Sequence, residues 1–221
     1  LRYRRDNLTA SYRINLDPGR TIGFRFNAGR NNFSSSGQIP LDEVVAGRLD
    51  RFGFIDPDNG GRVRNATAAI YFRSESSSGG TIKLDGFVSR SLFDLFSNFT
   101  FFLKDEVNGD EIQQHDSRLQ EGANAQYLQP YKFFGRRALL VAGGNFHDNQ
   151  INVGLYDSVS RDPIRVATSA GAGVTNLAGY LQNGADFLGG RLHIEITSDF
   201  ELVTKWRCDG ARNRPRGFNR S

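Results

Sequence analysis

The sequence has 221 residues with 25 Gly, 18 Phe, six Pro, one Trp and no Met, and a formal net charge of +4. With 38% hydrophobic and 24% charged residues it is neither too short for a core nor disordered by composition. No uninterrupted apolar run exceeds five residues, as at 138–142, whereas a spanning helix needs about 20. A helical membrane protein is excluded, and the lone Cys208 excludes an internal disulfide. From Thr197 onward six basic residues (Lys205, Arg207, Arg212, Arg214, Arg216, Arg220) face three acidic ones, which leaves residues 1–196 nearly neutral. That body has no basic stripe interleaved with aromatics, so no nucleic-acid partner is expected. A first residue of Leu and the absence of Met are read as a processed, excised or truncated chain.

Period-two alternation is the main structural signal. Leu8, Ala10, Tyr12, Ile14 and Leu16 share one face against Thr9, Ser11, Arg13 and Asn15. Asp17-Pro18-Gly19-Arg20 reads as a tight turn, with proline presetting φ and glycine free to take φ > 0. The alternation resumes with Ile22, Phe24, Phe26 and Ala28, completing a hairpin. A polar stretch over 31–62 precedes a strand at 65–73, a Ser/Gly turn at 74–80 and a bent strand from 81 towards 103. Then follow a loop at 104–118, a strand at 119–129, a turn near 130–137 and a strand at 138–146. Residues 147–176 read as a long loop, and a last hairpin joins 177–188 to 191–196 through Gly189-Gly190. Helical periodicity is not evident.

Eight strands thus alternate short and long connections, which puts the short turns at one rim of the sheet and the long loops at the other. This all-β, antiparallel up-and-down meander has the asymmetry of an outer-membrane β-barrel, with short periplasmic turns and long external loops. Strands of about 9–11 residues suit a tilted bilayer crossing, against about 5–6 in soluble sheets. In such a barrel the Leu/Ile/Phe/Ala face meets lipid, and Arg13, Arg25 and Arg73 line a wet interior. A soluble antiparallel sandwich also alternates, because one face of each of its sheets is buried.

Particular residues carry a resemblance beyond this pattern. The run 37–44 (Gly-Gln-Ile-Pro-Leu-Asp-Glu-Val), continuing through 46–53 and Ile55-Asp56-Pro57, resembles an external loop of TonB-dependent outer-membrane receptors. Residues 95–103 with 107–110 look like a strand entering the next loop of such barrels, and 148–152 with Tyr156 look like a third piece. Tyr180-Leu181-Gln182 followed by Leu192-His193-Ile194 is similar to their late hairpin. The resemblance covers residues 1–196. It implies a segment of a barrel of about 22 strands in a Gram-negative outer membrane, with neither plug domain nor TonB box among these residues. It implies active uptake of a scarce large nutrient (a ferric siderophore, cobalamin or a glycan) energised by TonB–ExbB–ExbD through the plug. The lipid bilayer and an extracellular nutrient are the other partners. The alternatives are a small stand-alone outer-membrane pore or adhesin barrel, or a soluble antiparallel carbohydrate-binding module. The family's pattern breaks at Thr197-Ser198-Asp199-Phe200, so residues 197–221 are expected to be a basic tail of foreign or out-of-frame origin, outside the barrel.

No catalytic signature is present: no Gly-x-Ser-x-Gly elbow, His-Glu-x-x-His, Walker loop or Gly-x-Gly-x-x-Gly. A non-enzyme is expected, with no catalytic, cofactor or metal residues assigned. His115 and His147 fall in expected loops, and His193 shares a strand face with Glu195 but lacks a third ligand. Cys208 has no positioned partner. The stretch 56–61 (Asp-Pro-Asp-Asn-Gly-Gly) lacks the spacing and terminal Glu of a calcium loop and reads as a solvated turn. What remains is ligand capture by loops on a rigid scaffold. The 31–62 loop offers Arg48, Arg51 and Arg62 beside Asp42, Asp50 and Asp56, with Phe33 and Phe52, as a surface for an anionic chelate or as a self-satisfied salt-bridged loop. No single ligand-binding residue is assigned.

Overall fold

The computed structural model describes residues 2–209, and these form one antiparallel sheet whose strands lie in sequence order, β1 to β8. The strands are β1 (Tyr3–Asp17), β2 (Arg20–Ser34), β3 (Gly60–Glu75), β4 (Thr81–Asn98), β5 (Glu111–Phe133), β6 (Arg136–Val159), β7 (Asp162–Phe187) and β8 (Leu192–Asp209). A one-turn helix, α1 (Leu41–Val45), follows Pro40 and carries Asp42 and Glu43 in its first turn, where the helix dipole favours them.

The register shows how the alternating pattern became a two-faced sheet. Tyr12 pairs with Phe24, Phe24 with Ile70, and Leu84 with Ala125, so the apolar positions of successive strands fall on one face. That face is an apolar belt formed by alternate residues of 8–16, 22–28, 66–72, 82–88, 123–127, 138–146, 177–181 and 194–202, and much of it is exposed. The opposite face is polar, and several of its glycines accommodate aromatic rings. A Cβ on Gly23 would lie 2.2 Å from the Tyr71 ring, and one on Gly122 would lie 2.4 Å from the Phe87 ring. Tyr71, so placed, accepts a hydrogen bond from Arg13 Nε at 3.3 Å and lies under the Arg25 guanidinium at 5.3 Å. Substituting valine at Gly23 is expected to expel the Tyr71 ring and cost about 1–3 kcal/mol. A loss of Tyr71 fluorescence anisotropy together with a lower unfolding midpoint would show it.

Two differences from the sequence reading concern where strands end. The expected loop at 147–176 is not a loop: β6 and β7 run on to a two-residue turn at Ser160-Arg161, both with positive φ (50° and 67°). The expected loop at 104–118 instead spans 99–110: β5 already begins at Glu111, and β4 stops at Asn98 rather than running towards 103. Beyond the belt both faces of a strand meet water, so the belt's apolar face is not continued. A 24-residue strand such as β6 reaches about 80 Å at about 3.3 Å per residue, far more than an apolar belt about 25 Å tall requires. β5, β6 and β7 therefore project beyond it at the long-loop end.

The second difference is at the C-terminal end. β8 crosses position 197 without a break and pairs with β7 as far as Asp209, Leu177 opposing Leu202 and Gly173 opposing Trp206. Residues 197–209 are thus strand, whereas the sequence reading places them outside the barrel. Arg212, Arg214, Arg216 and Arg220 lie outside the described residues.

Candidate ligand-binding rim

The most closely packed part of the chain lies above the belt, where the β2–β3 connection folds over the ends of β3 to β7. Phe96 (1% exposed) is its apolar centre, and Asn59, Asp94, Asn98, Glu111, Gln113 and Ser158 are buried around it. The Arg62 and Arg161 guanidinium groups lie over the Phe96 ring at 5.5 and 5.4 Å, a cation–π contact strengthened by partial desolvation. Asp94 is a hub that receives Arg62 Nε at 2.8 Å, Gln113 Nε2 at 2.7 Å and His115 Nδ1 at 2.6 Å.

A latch closes this assembly. Arg161, on the strained β6–β7 turn, donates from Nε to the Asp58 carbonyl (2.8 Å) and from Nη2 to the Asn59 carbonyl (3.3 Å). Its backbone N–H donates to Glu111 Oε1 (3.0 Å), which also accepts the Ser158 hydroxyl at 2.7 Å. Asn98 donates from Nδ2 to Asp56 and from its backbone N–H to the Asn59 side-chain oxygen, and its own side-chain oxygen accepts Phe101 N–H. Truncating Arg161 to alanine removes two charge-assisted hydrogen bonds and is expected to cost about 1–2 kcal/mol. Faster amide exchange confined to 56–60 would register the release of the loop.

The structure also gathers Asp56, Asp58 and Glu111, each presenting one carboxylate oxygen within 4.8 Å of the others. Oxygen-only ligands of this kind suit a hard cation, but three fall short of the six to eight that calcium takes. Burial raises the Glu111 carboxyl above the usual glutamate range, and the Asp58 and Asp56 charges add to this, against hydrogen bonds from Ser158 and Arg161 that pull the other way. A raised folded value contributes stability that is fully present below the ordinary range and is lost as pH rises through the raised value. Protection factors at 56–60 should therefore fall between acid and neutral pH, and Glu111→Gln should flatten that dependence. The neighbouring 99–110 loop has the opposite sign. Asp110 is held below the usual aspartate range, first by the Thr100 hydroxyl, and it also accepts the Lys104 and Asp105 N–H groups. That contribution is present above the ordinary range and is lost as pH falls.

The loop surface expected from the sequence is partly assembled. Arg48 forms a two-pronged pair with Glu43 (2.7 and 2.8 Å), Arg62 is committed to Asp94, and Asp50 accepts Phe52 N–H. Asp56 braces Asn98, and Phe33 packs against Gly61. Among the described residues Arg51 has no ion-pair or hydrogen-bond partner, and close to it in sequence the rings of Phe52 and Phe54 are exposed. Phe99, Phe102, Leu103 and Val107 add exposed apolar surface on the next loop. Apolar groups so exposed at a rim mark interaction surfaces.

The expected histidine positions need correction. His115 and His147 sit in β5 and β6, not in loops, and do not meet: His115 bonds Asp94 while His147 lies against Phe87. His193 gains Asp186 at 2.7 Å from Nδ1 beside Glu195 at 3.6 Å from Nε2, at the short-turn end and far from the rim. Cys208 lies in β8 with its side chain outside the described residues. Sequence reasoning missed Asn98, Glu111, Ser158 and Arg161. The only local signal was the acidic run at 56–58, which gained significance when strand pairing brought Glu111 alongside.

No protein-family model and no curated protein matches the sequence. Solved structures do resemble it. The unliganded ferric citrate transporter FecA superposes with a TM-score of 0.76 at 15% identity, over 94% of this chain and 30% of that one. The ferric-catecholate import receptor Fiu from E. coli K12 gives 0.68 at 10% identity, over 97% and 39%. The outer-membrane ferripyoverdine receptor of Pseudomonas aeruginosa, bound to ferripyoverdine, gives 0.64 at 12% identity, over 96% and 32%. The fold is an eight-strand portion of an outer-membrane-type β-barrel. Its topology is that of part of the β-barrel of these structures, and the chain spans about a third of their length.

Proposed function

We propose that this chain is the barrel portion of a TonB-dependent transporter in a Gram-negative outer membrane, one that takes up a scarce large nutrient such as a ferric siderophore, cobalamin or a glycan. The observation that carries this reading is the joint architecture of the sheet: an apolar belt on one face, a polar wall on the other, and tall strands ending in a packed loop rim. The sheet's two ends, β1 and β8, are edges that further strands of a longer polypeptide would cover, since an open edge is not tolerated in lipid. The rim would capture the nutrient, with Arg51, Phe52 and Phe54 as its most available groups. Energy would come from TonB–ExbB–ExbD acting on a plug outside this segment, so no bond chemistry is required of these residues. The structures it resembles are transporters and receptors, which agrees with a non-enzymatic role.

Uptake of radiolabelled ferric siderophores, cobalamin and oligosaccharides would be compared in cells with and without the gene, each with and without a protonophore. Loss of one of these uptakes on deletion, matched by the protonophore in wild-type cells, is the expected result. Unchanged uptake of all three classes, or recovery of the gene product as a detergent-free monomer, would overturn the reading.

A further inference from the structure

The belt-bearing face carries a feature that nutrient transport does not use. Immediately above the belt at the long-loop end, this face of β1 to β4 presents Arg4, Arg30, Arg62, Arg64 and Arg90 against only two carboxylates, Asp6 and Asp94. Asp6 is shared between Arg30 (2.6 Å) and Arg4 (3.0 Å), and Asp94 is committed to Arg62. Arg64 has no side-chain hydrogen bond or ion pair among the described residues. Arg90 reaches only a neutral hydroxyl, that of Ser117 at 2.8 Å.

Arg30 and Arg64 are directly opposed on β2 and β3, and Arg90 is diagonal to Arg64 because it pairs with Ala66. Like charges directly opposite each other destabilise a sheet unless something neutralises them. All three are exposed. The basic patch ends at β5, where Glu121 opposes Asp148 on the same face.

Beneath these arginines lies an open apolar groove of about 600 Å³, lined on this face by Phe24, Phe26, Ala68, Ile70, Gly86 and Val88. Val88 is two residues from Arg90 along β4, so the groove runs up to the arginines.

We propose that Arg30, Arg64 and Arg90 dock the phosphorylated headgroup of a membrane lipid, whose acyl chain lies in the groove below. Guanidinium groups bind phosphate through paired N–H donors and are weakly hydrated, which favours them at a membrane boundary. A phosphate at Arg64 and Arg90 supplies the anion those two lack, with Arg30, which shares Asp6 with Arg4, at its edge, and the groove supplies apolar contact that a free phosphate ion would not use. The inference rests on the membrane placement proposed above.

The complete gene product carrying this chain is reconstituted into phosphatidylcholine vesicles containing a small fraction of spin-labelled phosphatidic acid or, separately, spin-labelled phosphatidylcholine. Insertion is read by protease protection, and the relative affinity from the motionally restricted lipid signal. Phosphatidic acid should be preferred about fivefold or more, since a basic residue at a lipid surface is worth about that factor. The triple variant Arg30→Gln/Arg64→Gln/Arg90→Gln should insert normally and fall to near parity. The inner-wall variant Arg13→Gln/Arg25→Gln/Arg73→Gln, with the same loss of charge, should keep the preference. Normal insertion with parity in the wild type, or equal loss in both variants, overturns the lipid site and leaves the membrane reading intact. Failure to insert overturns both.

Discussion

Placing arginine at Phe24 is expected to destabilise the sheet in a bilayer by about 2–4 kcal/mol, the cost of a cationic side chain near the middle of a barrel's lipid face. Phe24 pairs with Tyr12 on one side and Ile70 on the other, at the centre of the belt. Arginine at Asn27, three residues along the same strand, should cost less than about 1 kcal/mol, because Asn27 faces the polar wall between Thr9 and Thr67. Urea unfolding of the vesicle-inserted protein measures both. The contrast follows from the side-chain period of two, under which neighbouring residues meet different solvents. Similar losses at the two positions would mean that the belt does not face lipid, and a soluble sandwich would then be the better description.

The second large effect is expected at Gly60, the hinge between the rim loop and β3. Its φ is 142°, and a Cβ there would lie 2.2 Å from the Phe33 carbonyl oxygen and 2.8 Å from Ser34 Cα. Both are backbone atoms of the paired strand, so neither can rotate away, and Arg161 Nη2 at 2.9 Å closes the remaining side. Gly60→Ala should therefore cost about 2–4 kcal/mol, combining backbone strain with overpacking. It should also displace Asp58 and Asn59 from the Arg161 latch. Gly135→Ala is the control: φ there is 74°, but nothing lies within 4 Å, so only the conformational cost of about 1–2 kcal/mol applies. Denaturant midpoints and amide exchange at 56–60 would separate the two. Equal effects would mean that the close approach at Gly60 contributes nothing.

Much of the sheet was legible because its determinants are local. Residues 8–16 and 22–28 alternate in sequence and pair in register, Leu8 opposing Ala28 and Ile14 opposing Ile22, with Pro18 and Gly19 at the turn. The same signal located the belt portions of β3, β4, β6 and β7. It changed phase where strands left the belt: in β6 Ile151, Val153 and Leu155 fall on the face opposite the belt against Gln150, Asn152 and Gly154, so the belt's apolar face was not continued and β6 was read as ending at 146 although it runs to Val159. The break expected at 197 rested on composition and family pattern, neither of which reports pairing, and β8 pairs through it.

The rim shows the opposite balance. Asp56, Asp58 and the rings of Phe33 and Phe52 were visible as residues, but the roles of the two aspartates depended on partners far away in sequence. Arg161 reaches Asp58 across 103 positions, and Asn98 reaches Asp56 across 42. Arg48 was equally available in sequence to Asp42, Glu43 or Asp50, and the one-turn helix α1 selected Glu43. By itself, then, the sequence determined an antiparallel meander with one lipid-compatible face, because alternation and turn chemistry act over a few residues. The tertiary structure alone decided which carboxylates share a site, which arginines are neutralised and which face the belt's edge unpaired. Those outcomes depend on strand register, and register brings together side chains that no local pattern relates.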